Sequence, residues 1–248
     1  MTPEPVSIVA VARNGFFFTR LLVEKVREHT RDRAFEIIVV DRGSRDETRA
    51  WLRRQPDVRL MPFAQWRTRG HGHGQAAERA VRRAKHERIV LLDFDAHPTS
   101  PDWLVDSVDR LDAHNRLAGA VFIDSHKGNS HGWYVHPHFM AFFKSDLGGL
   151  LVLRKVRGGD TDTGEEATIR VLAAGLGIVR HDIRFCERFS VGHDRVPTEA
   201  GGVFHAWYSS RLDHHEAEVI RETGGRITRA TYLEPLKRRL REAYGLTW

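Results

Sequence analysis

Short apolar runs separated by amphipathic stretches set the frame of this 248-residue chain. Val6-Ser7-Ile8-Val9-Ala10-Val11 is rich in β-formers and runs into Ala12-Arg13-Asn14-Gly15, which predicts a strand feeding a turn. Leu21, Leu22 and Val26 then share one helical face before a polar break from Thr30 to Arg33. Glu36-Ile37-Ile38-Val39-Val40 predicts a second strand, with Asp41 at its carboxyl end. Ser44-Arg45-Asp46-Glu47 has the Ser-x-x-Glu form of a capping box and predicts a helix start, with Ala50, Trp51 and Leu52 inside it. Val58 to Met61 predicts a short third strand. A turn of glycines and histidines from Arg67 to Gln75 leads into an alanine-spaced helix through Ala76, Ala77, Ala80, Val81 and Ala84. Ile89-Val90-Leu91-Leu92 has four apolar residues without alternation, the pattern of a strand covered on both faces. This central run ends in Asp93-Phe94-Asp95.

The second half is less regular. Ser100-Pro101-Asp102-Trp103 reads as a helix opening, with Ser as N-cap and Pro in the first helical position. Ala118 to Ile123 and Phe139 to Phe143 predict strands, and the aperiodic stretch from Asp124 to His138 predicts a long loop at the active face. Asp160-Thr161-Asp162-Thr163-Gly164-Glu165-Glu166 precedes a helix carrying Ile169, Leu172 and Ala173 and closed by Gly175. Asp162 and Glu165 again have capping-box spacing, which is a complete structural reason for both. Ile178 to Arg180 predicts a short strand, and Val203 to Arg211 leads into a helix ending near Gly224. The tail from Tyr232 to Tyr244 is amphipathic and basic on one face, which suits a cap over the core or a peripheral membrane contact. Strand and helix alternate through Leu111, so the expected fold is α/β: one domain with a mostly parallel sheet, helices on both faces and a mixed C-terminal half.

Composition narrows the function. Hydrophobic residues make up 41% and charged residues 29%, which excludes wholesale disorder. No apolar run approaches the roughly 18 residues of a membrane span. The opening Met1-Thr2-Pro3-Glu4-Pro5 lacks a secretory signal pattern, and Cys186 is the single cysteine. Both features suit a cytoplasmic protein, at most resting on the inner face of a membrane. The neighbours Phe185 and Phe189 predict a buried, structural thiol. A formal charge of +6 favours anionic partners such as nucleotide phosphates, nucleic acid or an acidic surface. The fifteen histidines are scattered, and no pair has the spacing of a zinc protease. His71 and His73, flanked by glycine, read first as solvent-facing.

The chemistry concentrates at Asp93 and Asp95. Residues two apart at the end of an extended segment project the same way, so these carboxylates can share one divalent cation while Phe94 turns back into protein. In open parallel sheets ligands bind beyond the carboxyl ends of the strands, where this pair falls. Two surface aspartates in a turn closed by Pro98 are the structural alternative.

Four features occur in one order: the opening strand, Asp41-x-Gly43-Ser44-x-Asp46, the glycine-and-histidine turn before an alanine helix, and Leu92-Asp93-Phe94-Asp95 with Pro98. This order resembles the family-2 glycosyltransferases of the GT-A fold, with a Rossmann-like central sheet, and the likeness is strongest from Val6 to Leu111. It implies a nucleotide-sugar donor, a Mn²⁺ or Mg²⁺ ion and transfer to an acceptor hydroxyl on a saccharide, a lipid-linked molecule or a small molecule. It further implies a nucleotide-sugar-binding half over residues 1–111 and an acceptor-binding half over 112–248. By the same resemblance Ala12, Arg13 and Asn14 line the nucleotide pocket and Asp41 meets the base or ribose. Gly43, Gly70, His71, Gln75 and Phe94 are further donor-binding positions, and Arg69, Arg13 and Arg211 assist at the phosphates. Asp95 coordinates the metal, Asp93 contacts the ribose or a metal-bound water, and His205, then His193, is the third ligand.

The departure from the family lies in the general base. Thr163-Gly164-Glu165-Glu166 ahead of Arg170 does not keep the family's usual acidic pair before an Arg-containing helix. Asp162, Asp160 and Glu165 are the catalytic candidates, Asp162 first. Two other classes compete. A nucleotidyltransferase of related fold lacks its expected Gly-x-Gly-Thr-Arg turn here. For a non-enzymatic nucleic-acid-binding protein the basic residues are too dispersed, so no nucleic acid is expected as a partner.

Overall fold

The apolar runs become strands whose side chains divide between two cores. The computed structural model describes residues 3–63, 72–123, 131–154, 163–192 and 196–248, the last without the side chains of residues 210, 213 and 214. β1 (Val6–Ala12), β2 (Phe35–Asp41), β3 (Val58–Pro62) and β4 (Arg88–Asp93) pair in parallel, in the order β3-β2-β1-β4. Ile8 and Ala10 point into one apolar cluster and Val9 and Val11 into the other. That two-sided burial explains the unbroken hydrophobicity of these strands. α1 (Phe16–His29), α2 (Thr48–Leu52) and α3 (Gly72–Val81) connect them.

β5 (Ala96–Pro98) leaves the large sheet, which is completed by β6 (Asn115–Ile123), β7 (Trp133–Phe143) and β8 (Gly177–Asp182). The full order is β3-β2-β1-β4-β7-β6-β8, with β7 antiparallel to both of its neighbours. The expected α/β architecture with a mixed C-terminal half is therefore present. α4 (Glu165–Ala173) packs on β7 and β8. A second sheet, β5-β11-β10-β9, is built from β9 (Arg184–Phe185), β10 (Thr198–Ala200) and β11 (Val203–His205). α5 (Ser209–His214), α6 (Glu216–Glu222) and α7 (Glu234–Tyr244) close the chain.

Several local expectations are corrected. Ser44 does not cap α2; the N-cap is Glu47, with no side-chain hydrogen bond. Ser44 Oγ instead accepts from the backbone N–H of Asn14 at 2.7 Å, tying the turn after β1 to the turn after β2. α3 begins at Gly72, before the alanines, and its glycines admit protein rather than a ligand. A Cβ on Gly72 would lie 2.3 Å from Arg42 Nη2, and one on Gly74 would lie 1.9 Å from the Leu153 carbonyl. The Ser100-Pro101-Asp102 segment forms successive turns and a short 3₁₀ helix at Val108–Arg110. Of the loop expected from Asp124 to His138, the last six residues belong to β7. The helix expected to run to Gly224 is two short ones, α5 and α6. Gly164, with no side-chain hydrogen bond, is the N-cap of α4, so Glu165 opens that helix rather than closing a box. Asp160 and Asp162 lie outside the described residues.

β7 is bulged where the site will form. Its pairing with β6 jumps from Gly119↔Met140 to Val121↔Val135, so His136-Pro137-His138-Phe139 stand opposite Ala120 alone. Pro137 has no N–H to give a ladder, and Gly119 at φ 151° makes room, since a Cβ there would lie 2.2 Å from the Phe139 carbonyl. Cys186 is buried, and burial, reinforced by Glu199, pushes its thiol up to about 12, as suits a structural thiol.

The apolar side of α7, Leu236 and Leu240, faces the core, so the tail caps the domain. Among the described residues no helix is long and apolar enough to cross a membrane. Tyr244 docks the end of α7 against His97 Nε2 at 3.0 Å, with His97 tilted against Phe204. Burial, together with the charges of Lys25, His29 and Arg188, lowers His97 from 6.5 to about 3. The folded protein thus holds His97 neutral while the unfolded chain can protonate it. Its contribution is complete above pH 6.5 and is lost as pH falls from there toward 3. Urea titrations at several pH values should show His97→Gln less stable than the parent at pH 7. The variant should also lose less on acidification, by up to about 1.4 kcal/mol per pH unit. Parallel pH profiles would exclude His97 as the acid-sensitive group.

Candidate active site

The carboxyl ends of β1, β2 and β4 open on a cleft of about 220 Å³. Each strand contributes a charged residue just where its ladder stops: Arg13 after β1, Arg42 after β2, and Asp93 at the end of β4. From the other side come His136 on β7, His205 on β11, and Trp207, Tyr208 and Arg211 beyond it.

Asp93, Asp95 and His205 each offer a ligand atom, all within 4.8 Å of one another. His205 Nε2 lies 3.3 Å from Asp95 Oδ1 and 4.0 Å from Asp93 Oδ2. His73 Nε2 approaches Asp93 Oδ1 at 3.4 Å, so this histidine faces a carboxylate rather than solvent. Two carboxylates and one imidazole suit a Mn²⁺-type divalent ion. Asp95 is almost fully buried. Burial pushes its carboxyl up, yet the His205 ring and the hydrogen bonds from His205 and Ser209 outweigh that and hold it below the usual range. Ser209 Oγ donates to Asp95 Oδ2 at 2.5 Å, and the Ala206 N–H donates to the Asp95 carbonyl at 3.1 Å.

Packing holds His205 in its orientation. His138 stacks on it with centroids 4.3 Å apart and planes 7° from parallel, and Trp207 lies against it with ring centroids 4.6 Å apart. His138 is buried, and burial with the neighbouring His205 and His136 drives it well below its ordinary value, so it is neutral. His136 Nδ1 accepts from the His138 backbone N–H at 3.2 Å and lies 2.8 Å from His138 Nδ1. Because Nδ1 of His136 is an acceptor, its proton belongs on Nε2.

The cationic side is equally defined. Burial, reinforced by the adjacent charge of Arg13, lowers Arg42 from its ordinary value, a balance that an anion in the cleft would reverse. Arg211 is shared with Glu222 at 2.6 Å, and that hydrogen bond raises it.

The nominated residues divide into three groups. Ala12, Arg13, Asp93, Phe94, Asp95, His205 and Arg211 come together in the cleft. Asp41 is buried beside it, with Oδ1 accepting from the Ser44 N–H at 2.9 Å and Oδ2 lying 3.5 Å from Arg49. Asn14 and Gly43 stand in the turns behind, both at positive φ. Gln75 is half-buried on α3, and Glu165 is buried at the first turn of α4. Arg69, Gly70, His71 and His193 lie outside the described residues. The sequence reading overlooked Arg42, His136, His138, Trp207, Tyr208 and Ser209. The spacing of His136 and His138 was the available signal, since residues two apart on a strand share a face.

The family model described as "Glycosyl transferase family 2" matches residues 7–172. No curated protein matches the sequence. Among solved structures, the chain is similar to the mannosyltransferase PcManGT from Pyrobaculum calidifontis in complex with GDP-Man and Mn²⁺. The TM-score is 0.53 at 18% identity, over 98% of this chain and 76% of that one. It is also similar to glucosyl-3-phosphoglycerate synthase from Mycobacterium tuberculosis in complex with Mn²⁺, UDP and phosphoglyceric acid. Here the TM-score is 0.51 at 15% identity, over 72% of this chain and 68% of that one. These likenesses establish the fold.

Metal binding by the triad can be read without any substrate. Saturating Mn²⁺ at about 100 times its Kd should stabilise the protein by about 2.7 kcal/mol, a rise in Tm of about 5–10 °C for this size. Asp95→Asn, which keeps the shape and the acceptor for Ser209, should remove that rise while the metal-free protein still melts cooperatively. An undiminished rise in the variant would take Asp95 out of the ligand set.

Proposed function

The chain belongs to glycosyl transferase family 2, and on that premise we propose that it is a metal-dependent glycosyltransferase. It moves a sugar from a nucleoside-diphosphate sugar to a hydroxyl of an acceptor. The observation that carries this reading is the meeting of the Asp93, Asp95 and His205 triad with Arg13, Arg42 and Arg211 in one cleft. A carboxylate-held divalent ion and a set of guanidinium groups are what a departing diphosphate requires. Mn²⁺, the ion named in both neighbouring complexes, is the first choice, with Mg²⁺ second.

When bound, the ion supplies Lewis acidity to the leaving diphosphate. The chain's own residues do the rest. Arg13 and Arg42 face the phosphates from the ends of β1 and β2, and Arg211 reaches them from α5. His138 and Trp207 keep His205 turned toward the carboxylates, and His205 with Ser209 keeps Asp95 ionised. The nucleotide rests over the β1 turn at residues 12–14, and the donor occupies the half formed by residues 1–111. Asp41, held under Ser44, orients the turn that meets the ribose; Gly43, Arg69, Gly70, His71 and Gln75 complete that side. The acceptor enters from residues 112–248, and its proton goes to Asp162, with Asp160 and Glu165 as the other candidates. His193 is the alternative to His205 as third ligand.

A panel of nucleotide sugars, scored for Mn²⁺-dependent hydrolysis or thermal stabilisation, tests the assignment. One member should raise Tm only with metal present, and chelation should abolish the effect. Failure of every nucleotide sugar, with the Mn²⁺ effect intact, would remove the donor class. For the base, Asp162→Asn should lower turnover by about 10²–10⁴-fold while leaving donor binding unchanged. Normal turnover in that variant would pass the role to Glu165, to be checked with Glu165→Gln.

A further inference from the structure

A second cavity, of about 380 Å³, shares Trp207 and Tyr208 with the metal cleft. Among the described residues its remaining walls are Phe122, Ile183, Phe185 and Val196, with Arg184 and Thr198 as the polar members. Its volume lies in the range of small-molecule sites, about 300–1,000 Å³. From these walls we infer that it is the acceptor subsite, and that the acceptor is an apolar ring compound carrying a hydroxyl and an anionic group rather than a saccharide. The inference rests on the transferase reading above and specifies the substrate class.

Three observations support it. First, the shared pair is held in an unusual backbone: Trp207 and Tyr208 have φ 46° and 52°, left-handed values that bulky residues avoid. Such strain persists where the surroundings over-determine it, and it concentrates at ligand sites. The Trp207 ring is fixed between His205 at 4.6 Å and Phe122 at 5.5 Å, so one ring contacts both the metal ligand and the apolar cavity. An acceptor in this cavity is therefore next to the reacting end of the donor.

Second, the polar capacity of the walls formed by the described residues is small. Thr198 Oγ1 already accepts from Trp207 Nε1 at 2.7 Å, so among the described side chains its hydroxyl proton, Arg184 and the Tyr208 hydroxyl are left to meet a ligand. A saccharide carries hydroxyls around its whole ring, and each one desolvated without a partner is penalised. A flat apolar ring loses nothing comparable and gains contact with four aromatic side chains. Third, Arg184 is exposed at the rim and brings a fixed positive charge, which selects for a carboxylate or phosphate on the acceptor.

In the transfer, the acceptor oxygen forms a bond to the anomeric carbon while the bond from that carbon to the diphosphate oxygen breaks. The diphosphate leaves with the electron pair, and the hydroxyl proton passes to the base assigned above.

Titration calorimetry with hydroxynaphthoate, naphthol and maltose tests this on the full chain, without metal or nucleotide. Hydroxynaphthoate should bind at least about tenfold more tightly than maltose. Phe185→Ala, and independently Phe122→Ala on another strand, should each weaken it about tenfold. Arg184→Gln should weaken hydroxynaphthoate about fivefold and leave naphthol unchanged. The Mn²⁺-induced rise in Tm, retained in all three variants, shows them folded and reads the metal site separately. Equal or tighter binding of maltose, no binding of hydroxynaphthoate, or indifference to both aromatic truncations would overturn the acceptor class. The transferase reading would survive any of those results, because it is tested by the nucleotide-sugar panel.

Discussion

A buried carboxylate sets the terms for the rest of this structure. Asp95 is 5% exposed, and a charge removed from water at that depth is tolerated only if every oxygen is matched. Here His205 meets one carboxylate oxygen, Ser209 the other, and the Ala206 N–H takes the backbone carbonyl. All three partners come from one stretch about 110 positions later in the chain. The same stretch pairs its strand with residues 96–98, so the electrostatic demand and the β5–β11 ladder hold the two sheets together. Removing His205 or Ser209 leaves the same charge unmet, which makes the site and the sheet junction one structural unit.

Around that junction, rigidity is supplied by rings rather than by further charges. His138, neutral and stacked on His205, contributes orientation without adding a competing positive charge. The bulge in β7 makes this possible. Four residues stand against one on β6, with Pro137 in the middle. β7 pairs Phe139 with Leu92 on β4, so the residue before it, His138, falls beside the carboxyl end where Asp93 stands.

The site is polarised. Its floor is acidic at Asp93 and Asp95, and its rim is cationic at Arg13, Arg42 and Arg211. The acidic pair calls for a metal and the cationic rim for an anion, and one ligand class satisfies both: a metal-bound diphosphate. The neighbouring cavity has the opposite character, apolar with Arg184 at its edge. Trp207 and Tyr208 belong to both, which gives their strained backbone a role: one pair of rings is shared by two chemically unlike surfaces.

The first half of the fold was legible from residue pattern, because strands buried on both faces must be apolar throughout and helices between them must be amphipathic. Asp93 and Asp95 were legible as an acidic pair where the central apolar run stops, although only Asp93 ends β4 and Asp95 follows in the turn before β5. His205 was reached only through the family resemblance. Nothing local in Val203-Phe204-His205 says that β11 will lie beside Asp95. His136 and His138 were hidden in what read as a loop, since a bulge and a proline erase the strand's alternation, and Arg42 and Ser209 had no motif at all. Ser44 and Glu47 matched a capping box, yet Ser44 is drawn instead to the Asn14 amide across two turns. By itself the sequence determined which segments are strands and helices, and where the acidic pair stands. Only the tertiary structure decided which distant groups surround that pair, because a buried charge is satisfied through space, and partners a hundred residues away leave no periodicity to read.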